Sequence, residues 1–235
     1  MCGRFTLTAT PGRLRQRFAL DEMPEAMSPR YNIAPSQDVL AIANRAPRAV
    51  HPLRWGLVPS WVKDAAIGQR MINARAETLA ERPAFRSALA RRRCLVPADG
   101  FYEWRRQGKA TKQPFHIRAR DGAPLAFAGL WELWRGPDGV ALGSCAIITT
   151  AANALLAPIH GRMPAILPPA AFSAWLDPSE RPVGALTPLL VPCPDDWLEA
   201  FPVSTHVNSP AHDDPACLTP LDDPSARSGA VVPRR

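Results

Sequence analysis

Four consecutive stretches rich in β-forming residues dominate the middle of the chain: Cys94–Trp104, Pro114–Ala119, Leu125–Trp134 and Ala141–Thr150. Turn signals separate them at Gln107-Gly108, Asp121-Gly122 and Gly136-Pro137-Asp138-Gly139. Gly supplies the left-handed backbone such turns need, and Asp bonds back to the chain, so the order strand-turn-strand reads as hairpins. A run of hairpins predicts an antiparallel sheet, curled towards a barrel.

Around that core the signals are shorter. Leu14 and Phe18, four apart among arginines in residues 11–20, predict a small amphipathic helix. Tyr31 to Pro35 reads as a loop and Asp38 to Ala43 as a strand. Gly and Pro break Arg54–Trp61, which reads as a loop rich in indoles. A helix over 76–92 must bend or restart at Pro83. Two later helices are expected, one after Pro169 with Phe172, Trp175 and Leu176, one after Pro194 with Trp197 and Phe201. From Asp222 to Arg235 large apolar residues are scarce, and a flexible tail is expected.

Composition narrows the class. With 235 residues, 46% hydrophobic and 21% charged, one buried core is expected over 2–221. No signal-peptide layout and no membrane-length apolar run occur, so a cytoplasmic protein without a membrane partner is expected, nucleoid-associated when on DNA. Five widely spaced cysteines with no Cys-x-x-Cys pair argue against a disulfide framework or a zinc site. Cys94 and Cys145 sit in strand-like stretches and read as buried, inert thiols. The net charge is +7, and only Lys63, Lys109 and Lys112 among the 28 basic residues are lysine. Arginine's planar fork suits phosphate, although codon bias explains part of the excess.

Cys2 is the sharpest feature. Trimming Met1 leaves a cysteine whose free α-amine stands beside its thiol, with reference pKa values near ~8 and ~8.5. An aldehyde forms an imine with such an amine, and the thiol then closes a five-membered thiazolidine. An internal cysteine has only an amide nitrogen and cannot do this. Three further stretches accompany it. Asn73-Ala74-Arg75-Ala76-Glu77-Thr78 joins a loop to a helix start, where Arg75 suits phosphate, although a plain polar cap explains it too. In Phe101-Tyr102-Glu103-Trp104, alternation puts Phe101 and Glu103 on one face; Glu103 is an acid/base candidate or, equally, a solvent-facing strand residue. His160 in Pro158–Pro164 offers an imidazole in a turn after the strand ending at Thr149-Thr150. His206 is read as a supporting residue, and His51, His116 and His212 as structural or surface.

Met1–Phe5, Tyr31–Pro35, the Trp55–Trp61 loop, Asn73–Thr78, Phe101–Trp104, His160–Pro164 and Ser204–Pro210 together resemble the SRAP family, the SOS-response-associated peptidases or abasic-site processing proteins. The resemblance implies an α+β single domain whose curved antiparallel β-sheets form a distorted barrel-like core flanked by short helices. It also implies a narrow site for single-stranded DNA at an abasic position, with no cofactor, no metal and a monomeric chain. Carried over residue by residue, it makes Cys2 the crosslinking residue, Asn73 its positioner, Glu103 the acid/base and His160 the group that opens the sugar ring. Arg4, Arg75 and Arg162 match phosphate contacts, with Thr149 beside them, and Pro35 and Trp61 match the wedge and stacking surface. Lyase release of the DNA and processing of the protein's own N-terminus go with this reading. Three rivals stand against it: a thiol (auto)peptidase using Cys2 and His160, an N-terminal-nucleophile amidotransferase, and a non-covalent single-stranded DNA binder.

Overall fold

The computed structural model describes residues 2–108 and 111–221; the expected tail over 222–235 lies outside them. The strands run β1 (Phe5–Leu7), β2 (Arg30–Ile33), β3 (Asp38–Ala43), β4 (Val50–Trp55), β5 (Asn73–Arg75) and β6 (Arg93–Ala98). They continue with β7 (Gly100–Gln107), β8 (Thr111–Ala119), β9 (Leu125–Arg135), β10 (Ala141–Ala151), β11 (Arg162–Pro164) and β12 (Leu198–Pro202). Helices α1 (Pro11–Phe18), α2 (Pro83–Arg91), α3 (Pro169–Trp175) and α4 (Val183–Leu186) flank them.

Strands β4, β3, β6, β9 and β10 pair in that order, and β10 closes the ring by pairing parallel with β4. Closure removes the sheet's free edges. β6 is buried at every residue, as its apolar run Cys94-Leu95-Val96 requires of a strand covered on both faces. Strands β5 and β11 add to β10 outside the ring. The second sheet is antiparallel, in the order β12-β8-β7-β1-β2. It joins the barrel through Phe5, whose ring lies 5.2 Å from Trp55 and 6.0 Å from Phe127, and through Phe101, 5.8 Å from Phe127. This is the α+β single domain with a barrel-like core that the hairpins and the resemblance predict.

Four local expectations are corrected. Tyr31 to Ile33 is strand β2 rather than loop: Asp213 Oδ1 accepts from the backbone N–H of Tyr31 (2.5 Å) and Asn32 (2.9 Å), fixing it extended against β1. Arg54 and Trp55 finish strand β4, and the irregular loop starts only at Gly56. Cys94–Trp104 is two strands in two sheets, divided at Asp99, whose carboxylate accepts from Thr8 Oγ1 (2.8 Å), Thr8 N–H and Ala9 N–H (3.0 Å). After Pro194 a single 3-10 turn, Asp195–Trp197, gives way to β12, so Phe201 is a strand residue facing β8. The segment over 76–92 restarts as helix at Pro83, as proline at a first helical turn allows.

Period-two alternation splits β7 cleanly. Phe101 belongs to the main core, whereas Tyr102 packs with Val203, Val207 and Cys217 in a second cluster under the C-terminal segment. His116 of β8 is buried beside it, its ring 5.0 Å from Tyr102 and 5.5 Å from Phe201. Burial, aided by the nearby Arg118 charge, pushes its pKa down to about 3. The folded chain therefore holds His116 neutral while the unfolded chain protonates it below about 6.5. Stability is lost as pH falls from that value towards 3, at roughly 1.4 kcal/mol per pH unit for this one proton. Denaturant titrations from pH 7 to 4 should show His116→Gln with a shallower dependence, by one bound proton; equal slopes contradict this.

Candidate active site

Cys2 enters beside the middle of the second sheet. The β1–β7 register sets Phe5 opposite Phe101, and the Tyr102 N–H donates to Arg4 O at 3.0 Å. Continued two residues, that register brings Gly3 level with Glu103. Cys2 itself is fully buried, and its carbonyl accepts from Asn73 Nδ2 at 2.7 Å.

Asn73 is placed by the barrel. β5 pairs parallel with β10, Asn73 opposite Ile147 and Arg75 opposite Thr149. Trp55 is buried and its indole Nε1–H donates to Ile72 O at 2.9 Å, pinning the strand one residue before Asn73. The same loop needs its glycine: at Gly56 φ is +137°, and a Cβ would lie 2.6 Å from the Gly68 carbonyl oxygen. Asn73 Oδ1 is buried and has no hydrogen-bond partner among the described residues.

Glu103 is 3% exposed, which removes the solvent-facing reading. Burial pushes its carboxyl above the ordinary range, and His160 pulls the other way. Nδ1 of His160 lies 3.9 Å from Glu103 Oε1. The same Nδ1 lies 3.0 Å from the Arg162 backbone N–H and 3.2 Å from that residue's carbonyl oxygen, so either protonation state finds a partner. Burial, and secondarily the Glu103 charge, pushes the Cys2 thiol far up. Cys2, Asn73, Glu103 and His160 are thus brought together from β1's approach, β5, β7 and the turn before β11.

The basic and aromatic candidates fall into three settings. Trp61, 57% exposed, lines an open groove of about 550 Å³ with Arg70, Asn73, Arg75 and Arg82, which leads to the Cys2 side of the barrel. Arg162 stands over Thr149, its Nη2 2.6 Å from the Thr149 carbonyl and 3.3 Å from Oγ1, and its fork is held by both carboxylate oxygens of Glu77 at 2.7 and 2.9 Å. Arg4 is held by β2 and the C-terminal segment: it donates to Asn32 Oδ1 (2.8 Å), Val207 O (2.9 Å) and Asn208 O (3.3 Å). Pro35 is half-buried at the turn after β2, next to Ser36 with φ of 69°. Glu77, Arg70 and Arg82 carry no role in the sequence reading. Glu77 was within a quoted motif, but its pairing crosses 85 positions to Arg162 and has no local signal.

Residues 1–210 match the family described as SOS response associated peptidase (SRAP). The chain belongs to the SRAP family. Abasic site processing protein YoqW of Bacillus subtilis (strain 168) is 46% identical over 221 residues, covering 93% of this chain and 99% of that one. Abasic site processing protein HMCES of Mus musculus is 34% identical over 247 residues, covering 88% of this chain and 69% of the relative. A crystal structure of a protein from Bacteroides thetaiotaomicron superposes with a TM-score of 0.84 at 27% identity, over 94% of this chain and all of that one. Asn73 from one sheet and Glu103 from the other both lie against Cys2. Among the described residues no helix is long and apolar enough to cross a membrane.

Proposed function

We propose that this SRAP chain processes abasic sites in single-stranded DNA by capturing the sugar aldehyde on Cys2 after Met1 is removed. The observation that carries the reading is the anchoring of the Cys2 carbonyl by Asn73, beside a buried glutamate whose carboxylate lies 3.9 Å from an imidazole nitrogen. His160 protonates the sugar ring oxygen and favours the open aldehyde. The Cys2 amine attacks the carbonyl carbon, water leaves, and an imine forms. The thiol then adds across the C=N bond, sulfur to carbon and proton to nitrogen, with Glu103 carrying protons between steps. Asn73 Oδ1, without a partner among the described residues, is left to accept from a sugar hydroxyl. If the DNA strand departs from the imine by β-elimination before closure, the same site acts as a lyase.

Arg75 and Arg162 hold phosphates flanking the lesion, while Trp61 and Pro35 serve as stacking and wedge surfaces; a stacked base is worth about 1–3 kcal/mol. The chain is proposed to act as a monomer, in the cytoplasm.

The test is incubation of the purified chain with a single-stranded oligonucleotide carrying one abasic site. A heat-stable covalent adduct is expected, absent with the intact oligonucleotide; equal non-covalent binding of both, with no adduct, overturns the reading.

Glu77 occupies the Arg162 fork as a phosphate would. Its carboxyl is held below the ordinary range by its hydrogen bonds from Arg162. Glu77→Gln should therefore tighten single-stranded DNA binding about two- to five-fold at low salt, the 0.5–1 kcal/mol of an exposed ion pair. Fluorescence anisotropy reads this directly, and weaker binding would show that Glu77 positions the arginine rather than competing for it.

A further inference from the structure

The C-terminal segment bracing Arg4 carries chemistry-bearing side chains for which abasic-site capture has no use. It folds as two 3-10 turns, Thr205–Asn208 and Pro215–Leu218. Ser204 Oγ accepts from the His206 N–H at 3.2 Å to start the first, and Asp214 Oδ1 accepts from the Ala216 N–H at 2.9 Å to start the second. With Oδ1 so employed, Asp214 Oδ2 lies 3.0 Å from His206 Nε2. Cys217 completes the group: the three ligand atoms all lie within 4.8 Å of one another. The ring of His212 stacks on His206 with centroids 3.8 Å apart and 3° between planes, which fixes the imidazole's orientation.

We propose that His206, Asp214 and Cys217 bind one divalent transition-metal ion of the zinc type, with solvent in the fourth position. Imidazole, carboxylate and thiolate together make a borderline-soft donor set that suits zinc better than calcium or magnesium. Bonds of about 2.0–2.3 Å in a tetrahedron ask for these donors to stand roughly 3.3–3.6 Å apart, so a pair at the 4.8 Å limit closes by about 1.5 Å at most, while His206 Nε2 and Asp214 Oδ2, now 3.0 Å apart, open slightly. Asp214, its side chain 48% exposed, can make that adjustment towards a His206 ring held by His212, while Cys217 is buried. The thiolate and the carboxylate neutralise the ion. On binding, the Cys217 S–H proton and the proton shared between His206 Nε2 and Asp214 Oδ2 go to solvent, sulfur, nitrogen and oxygen each bond the metal, and the 3.0 Å His206–Asp214 and 3.5 Å Cys217–His212 carbonyl hydrogen bonds are given up. A Cys-His-Asp hydrolytic trio fits less well, because Cys217 is fully buried and a nucleophile must meet its substrate.

The ion would rivet the segment whose Val207 and Asn208 carbonyls hold Arg4 and whose Asn208 Oδ1 accepts from Trp104 Nε1 at 2.8 Å. Cys2 with a free amine is itself a chelator, so the experiment uses the full chain carrying Cys2→Ala. Cobalt(II) titration should give one equivalent of a tetrahedral visible spectrum with a sulfur-to-cobalt charge-transfer band, displaced stoichiometrically by zinc. Cys217→Ser should lose that band. His206→Ala, at the solvent rim, should weaken the cobalt affinity at least about ten-fold. Zinc should raise the melting temperature of the Cys2→Ala chain and leave that of its His206→Ala derivative unmoved. Absence of the band at one equivalent overturns the proposal, as does undiminished affinity in His206→Ala; the latter variant decides the matter even if Cys217→Ser fails to fold.

Discussion

Cys2→Ala gives no heat-stable adduct with abasic single-stranded DNA in the absence of reductant, under conditions in which the native chain reacts to completion. The expected effect is total because the ring requires sulfur two bonds from the amine-bearing carbon, and no other cysteine offers that pair. Cys94, Cys145, Cys193 and Cys217 are all buried, and each holds an amide nitrogen. Cys2→Ser separates the two bonds. Like Cys2→Ala it keeps the amine, so in both an imine still forms and borohydride traps it, but a hydroxyl is too weak a nucleophile at neutral pH to close a lasting ring. Denaturing gels with and without reductant read both variants. A heat-stable adduct from Cys2→Ala without reductant would contradict the assignment.

Glu103→Gln slows adduct formation by about 10²- to 10⁴-fold, the range typical of a positioned acid/base group, with single-stranded DNA binding retained. The amide keeps the shape and hydrogen-bonding capacity of the buried side chain but neither takes up nor gives up a proton near neutral pH. Burial raises the carboxyl's pKa, so as pH falls through that raised value the carboxylate is protonated and its capacity as a base is lost. The native rate should fall on the acid side, and the Gln variant should lack that limb. Single-turnover rates across pH 5 to 8 measure both effects. An unchanged rate would leave Glu103 as a structural carboxylate; a loss of DNA binding would place it in recognition rather than proton transfer.

The elements legible in the sequence are those set by local physics. The hairpins between Cys94 and Thr150 announce themselves by turn chemistry, and α1 by Leu14 and Phe18 on one face, held by the Thr10 cap. The misread segments depend on distant partners. Tyr31 to Ile33 is centred on Asn32 between Pro29 and Pro35 and looks like a loop until Asp213 takes its N–H groups. Cys94–Trp104 reads as one strand because nothing local reveals that Asp99 hands it from one sheet to the other. Trp197 and Phe201 suit a helix face, but Phe201 pairs with β8 across His116. At the site, Cys2, Glu103 and His160 were visible as chemistry in separate motifs, and only the fold shows Glu103 buried and 3.9 Å from His160. Arg4 looks like any surface arginine in sequence. Its three bonds to Asn32, Val207 and Asn208 join residues up to 204 positions apart.

The capture chemistry is tested most directly by mapping the adduct to its atoms. The crosslink is digested with nuclease and protease, and the modified peptide is sequenced by mass spectrometry. The expected species starts at Cys2, lacks Met1, carries the sugar remnant, resists borohydride reduction, and leaves Sγ closed to alkylation because nitrogen and sulfur share one carbon. A remnant on Lys63 or another side chain, or a modified N-terminus whose thiol still alkylates, would contradict thiazolidine capture.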